Sequence, residues 1–114
     1  MKYLIIVLML VNMLYAGASD FFGKYVFDNK RYVKTVVLDS DGRGDWTYHN
    51  SKSSAYDYEE RILWRYDQGK NYIVIELLTD DADGRIQKSG QIFYLEPQNG
   101  GLLPKGSAEL FKKQ

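Results

Sequence analysis

From Gly23 onward the chain alternates short apolar runs with clusters of Gly, Asp, Asn and Ser, and no stretch carries a sustained helical period. Period-two patterning is clearest in RILWRYD (Arg61 to Asp67), where Ile62, Trp64 and Tyr66 share one face and Arg65 lies on the other. The same period groups Trp46 with Tyr48 in GDWTYHN (Gly44 to Asn50), opposite Thr47 and His49. In YVKTVVL (Tyr32 to Leu38) it groups Val33, Thr35 and Val37, opposite Lys34. GKYVF (Gly23 to Phe27) reads as a first strand. The tetrad DQGK makes a tight turn into NYIVIELL, whose inner face is Ile73, Ile75 and Leu77 because Glu76 marks the outer one. QIFYLE (Gln91 to Glu96) and AELFKK (Ala108 to Lys113) bring the expected set to about seven strands.

Three polar connections separate these runs. SKSSAYDYEE (Ser51 to Glu60) has room for one helical turn, TDDADGRIQKSG (Thr79 to Gly90) is longer, and PQNGGLLPKGS (Pro97 to Ser107) is a loop with both prolines of the chain. A flat sheet of this size would leave two open edges and one wet face, so the pattern predicts an all-β fold: a small antiparallel meander closed or nearly closed into a barrel.

The chain begins differently. Lys2, the apolar run Leu4 to Tyr15 and the Ala16-Gly17-Ala18 site have the form of a secretory signal peptide cut before Ser19. A spanning helix needs about 20 apolar residues, more than this run offers, so no membrane anchor is expected after cleavage. The expected organisation is a signal peptide over 1–18 and one domain over 19–114. The absence of cysteine leaves stability to apolar packing and backbone hydrogen bonds, and with export it points to a bacterial periplasmic or secreted protein. Removing Lys2 leaves 14 Lys and Arg against 15 Asp and Glu, a balance that draws neither nucleic acid nor anionic lipid.

Candidate chemistry is sparse. In LDSDGRGDWTY a calcium loop starting at Asp39 would place Arg43 at its fifth position and Asn50 at its twelfth, so the stretch reads as a hairpin turn at Asp41-Gly42 rather than a metal site or an Arg-Gly-Asp adhesion motif. His49 is the one histidine, too few for a transition-metal site, and no cofactor is expected. Neither a nucleophile elbow nor a phosphate loop is present, and Glu59-Glu60 does not define a facing acid and base, which argues against an enzyme. The positive signal is tyrosine. Strand tyrosines offer apolar area and a hydroxyl, either for packing or for lining a cavity.

The order of GKYVF, VVLDSDGRGDWTY, ILWRYDQGKNYIVIEL, IFYLE and AELFKK resembles the small lipocalin-like barrels of bacterial envelopes, the NlpE-type domains among them. The resemblance implies a stress-sensing or ligand- and partner-binding barrel. Copper and redox functions are not carried over, because the cysteines of NlpE-type proteins are absent. A second resemblance, to periplasmic lysozyme inhibitors, implies a partner-binding loop. The expectations are a non-enzymatic barrel that binds a small apolar or amphipathic ligand through Tyr48, Trp64, Tyr66 and Ile75, or an interaction module that engages an envelope protein through Tyr56 and Tyr58.

Overall fold

The computed structural model describes residues 17–80 and 82–114, so the expected leader, apart from Gly17 and Ala18, lies outside the described residues. Eight strands follow one another: β1 (Gly23–Asp28), β2 (Tyr32–Leu38), β3 (Arg43–Asn50), β4 (Tyr58–Asp67), β5 (Tyr72–Asp80), β6 (Ile86–Gln98), β7 (Gly101–Pro104) and β8 (Phe111–Lys113). Each pairs antiparallel with its neighbour, and β8 returns to β1 through Tyr25↔Lys113 and Val26↔Lys112. The fold is the expected all-β meander closed into a barrel, with eight strands in place of seven.

The additional strand is β7, inside the stretch expected to be a loop. Asn99 and Gly100 take φ of 43° and 75°, the handedness of a two-residue hairpin turn, and Gly101–Pro104 runs back along β6. The other connections are also shorter than expected. The helical turn of the first is Ser54–Tyr56, and β4 already begins at Tyr58. Residues 86–90, expected in the second, belong to β6, and the closing strand covers Phe111–Lys113 alone.

Alternate side chains fill the interior: Tyr25, Val36, Leu38, Trp46, Ile62, Trp64, Ile73, Ile75, Leu77, Leu95, Leu102 and Phe111 form one buried cluster. The inner faces expected for β4 and β5 are the ones observed. In β2 the face turned inward is that of Val36 and Leu38, which by alternation carries Tyr32 and Lys34 as well. The register Val36↔Trp46 and Leu38↔Gly44 fixes this choice against the more uniformly β-branched face.

Each end of the barrel is finished differently. At the lower end a 3₁₀ turn, Ser19–Phe21, brings Phe21 to 4.8 Å from the Tyr66 ring and Phe22 edge-on to Trp64 at 5.8 Å. The Tyr25 hydroxyl donates to Phe21 O at 3.0 Å, and burial raises the pKa of that phenol. The acidic stretch after Leu38 is a turn at the same end. Gly42, at φ 81°, donates to Asp39 O, Asp41 Oδ1 accepts from Arg43 N at 3.1 Å, and the Trp64 indole donates to Asp39 O at 2.9 Å. These bonds tie the β2–β3 hairpin to β4.

Candidate functional site

The upper end is lined by rings. Its geometry starts in the turn before β2, where Asn29 Oδ1 accepts from Arg31 N and Tyr32 N, both at 3.0 Å. That turn sets the first residue of β2, and Tyr32 enters on the inner face. Its ring packs beside Phe27 at 6.1 Å and stacks on Tyr48 at 5.4 Å. Tyr48 stacks in turn on Tyr58 at 5.3 Å with only 6° between the planes. A second arc leaves Phe27 through Phe111 and Trp46 to Phe93, with the Trp46 and Phe93 rings 5.6 Å apart and 18° from parallel. Offset stacks of this kind stabilise by about 0.5–1.5 kcal/mol each beyond the area they bury. Phe93 and Tyr58 remain 39% and 45% exposed, so part of this wall faces solvent.

A polar group sits against the wall. Lys34 Nζ donates to Glu109 Oε1 at 2.6 Å, and the Tyr32 hydroxyl donates to Glu109 Oε2. Glu109 lies on the link between β7 and β8, where its N–H donates to Ser107 Oγ at 3.0 Å. Hydrogen bonds from Lys34 and then Tyr32 hold the Glu109 carboxyl below its usual range. Partial burial disfavours the Lys34 ammonium, but the hydrogen bond and charge of Glu109 outweigh it and raise its pKa. The hydrogen bond to Glu109 also raises the Tyr32 phenol. The result is a fixed cation, anion and hydroxyl beside an apolar wall.

The loop over this end is pinned down. Ser51 Oγ donates to Arg31 O at 2.8 Å, and Asp57 accepts from Asn50 N at 2.7 Å. Asp57 Oδ2 also lies 2.6 Å from His49 Nδ1, and the bonds from Asn50 and then His49 lower its pKa. Tyr56, on the 3₁₀ turn of this loop, is 69% exposed.

One side of the upper end is open. Pairing of β4 with β5 begins only at Ile62↔Leu77, so above it the two strands diverge around a cleft of about 610 Å³ between Glu59, Glu60 and Arg61 on one bank and Leu78, Asp80 and Ile86 on the other. A bulge lies beside the divergence. The β5–β6 register slips between Glu76↔Ile92 and Leu78↔Lys88, leaving Ser89, Gly90 and Gln91 opposite Leu77, with Gly90 at φ 86°.

The residues expected to line a cavity are spread along the barrel axis. Trp64 and Ile75 are buried in the core, Tyr66 packs at the lower end against Phe21, and Tyr48 alone stands in the upper aromatic wall. Of the pair expected to bind a partner, Tyr58 belongs to that wall and Tyr56 projects outward. Sequence reasoning missed Tyr32, Lys34, Phe93 and Glu109. A lysine inside an otherwise apolar strand was the available signal, but its acid partner lies 75 positions away. No family model matches this sequence, and no match to a curated protein or to a solved structure reaches significance.

Proposed function

We propose that this chain is an exported, non-enzymatic barrel of lipocalin-like architecture that binds a small amphipathic ligand at its upper end. The observation that carries the reading is the half-exposed aromatic wall Tyr32–Tyr48–Tyr58 set beside the Lys34–Glu109 pair. A ligand with a flat apolar body gains from stacking on rings that are already ordered, since little side-chain freedom is lost on binding. Its polar end finds both a donor and an acceptor in Lys34, Tyr32 and Glu109. Ile75, across the ladder from Phe93, and Trp64 form the packed floor beneath.

The test is native mass spectrometry on protein purified from its own envelope fraction, with a titration of 1-anilinonaphthalene-8-sulfonate as the amphipathic probe. The reading expects a released mass of a few hundred daltons or saturable one-to-one probe binding that Tyr48→Ala weakens and Tyr66→Ala, at the opposite end, leaves unchanged. A bare protein with no saturable probe binding overturns it. The alternative, an interaction module, is favoured by one feature, the 69% exposure of Tyr56 on a loop that is otherwise hydrogen-bonded in place. It expects a co-purifying protein that Tyr56→Ala releases.

A further inference from the structure

The opening between β4 and β5 is bounded by two strand edges. Tyr58–Arg61 pairs with β3 on one side only, through Trp46↔Glu60 and its neighbours, and Leu78–Asp80 pairs only with β6. Along both edges the ladder has no partner strand among the described residues. Open edges of this kind attract other strands, and most proteins cover or blunt them. Here they diverge next to the bulge at Ser89–Gln91.

We propose that this opening receives an extended, basic polypeptide segment that pairs as an added strand between β4 and β5. Two facing edges present alternating N–H and C=O groups, a pattern that another backbone matches along its length. Four residues of strand span about 13 Å, comparable to the Tyr58–Arg61 edge. The charge lining selects the occupant. Among the described residues Glu59, Glu60 and Asp80 line the cleft with Arg61 as the one cation beside them, and none of the three carboxylates is ion-paired. Leu78 and Ile86 supply apolar contact for the intervening side chains. A second copy fits less well, because its edges would set the same carboxylates against these. The proposal shares only Tyr58 with the ligand reading, and uses its backbone where the ligand reading uses its ring.

The experiment uses the 15N-labelled protein and the hexapeptide acetyl-Val-Lys-Val-Lys-Val-Lys-amide. In the free protein the outward amides of Tyr58–Arg61 and Leu78–Asp80 exchange fast, and saturating peptide slows them about tenfold or more. The same peptide with N-methylated valines gives no protection, and the glutamate version, Val-Glu repeated, binds at least about tenfold more weakly. The double variant E59Q/E60Q, which keeps side-chain size while removing both charges, weakens the lysine peptide and keeps the melting temperature. Protection of these amides in the free protein, no protection on adding the peptide, or equal binding of the lysine and glutamate peptides overturns the proposal.

Discussion

Gly44→Ala is a severe test of how β2 and β3 meet. A methyl built on Gly44 would lie 1.8 Å from Val37 O, 3.0 Å from Val37 C and 3.3 Å from Ile62 Cγ1. The first obstacle is backbone in the neighbouring strand, so no rotamer change relieves it. Overpacking alone costs about 1–3 kcal/mol, and displacing a ladder carbonyl forfeits about 1 kcal/mol of hydrogen bonding. Together these give about 3 kcal/mol. For a domain of this size each kcal/mol moves the melting temperature by about 4–8 °C, so the variant should melt about 12–24 °C below the parent. Two glycines calibrate the result. Gly69→Ala meets nothing closer than Asp67 Oδ1 at 3.6 Å and should be neutral. Gly84→Ala has open space but a φ of +77°, and should cost about 1 kcal/mol through backbone strain. Differential scanning calorimetry on the three variants reads the order directly. A Gly44→Ala midpoint within about 4 °C of the parent would refute the close approach of β2 and β3 on which the barrel register rests.

Other expectations concern the two ends of the barrel. Trp64→Phe removes the donor to Asp39 O and should cost about 1–3 kcal/mol, seen as a lower urea midpoint at unchanged slope. Phe22→Ala strips the edge-on contact with Trp64 and should red-shift the tryptophan emission while lowering the melting temperature by several degrees, about the effect of 1 kcal/mol. The Glu109 carboxyl has a lowered folded pKa, so its stabilisation is present above the unfolded value of about 4.3 and is lost as pH falls through the folded one. The stability gap between parent and Glu109→Gln should therefore be widest near neutrality and close on acidification, in urea melts followed between pH 7 and 3. A constant gap would show that the loss is one of shape rather than charge. Tyr56→Ala should change stability by no more than about 0.5 kcal/mol, since its ring is largely in solvent.

What the sequence disclosed depended on whether a strand met the core along its whole length. β4 and β5 do, and Ile62, Trp64, Ile73, Ile75 and Leu77 announced their inner faces by alternation. The half of β6 that leaves the barrel has no core to face. Ile86 to Gln91 is therefore polar or exposed on both sides and reads as loop. β7 was hidden by Pro104 at its own end and Pro97 in the strand it pairs with, although Asn99-Gly100 carries the turn that creates it. The face of β2 was legible only as two alternatives. Lys34 made one of them look wet, and the compensating Glu109 lies on a distant link that no local pattern connects to it. The candidate site was less visible than the fold for this reason: its wall is assembled from several strands and its charges from positions far apart in the sequence.

The narrow seam between β1 and β8 bears on the order in which this protein assembles. β1 is the first strand to be synthesised, yet one of its edges waits for residues 111–113, by which time every other strand exists. Until then Tyr25 and Val26 lie on an unpartnered border, open to the wrong neighbour. Lys24, Lys112 and Lys113 stand along this border and mark both sides of it with the same charge. Of these only Lys24 is present while β8 is unmade, and when the closing strand arrives the Lys113 ammonium donates to the Asp20 carbonyl at 2.9 Å as the seam shuts. The border of β1 therefore carries a single lysine until its own last strand brings two more, and closure of the barrel waits on that short strand.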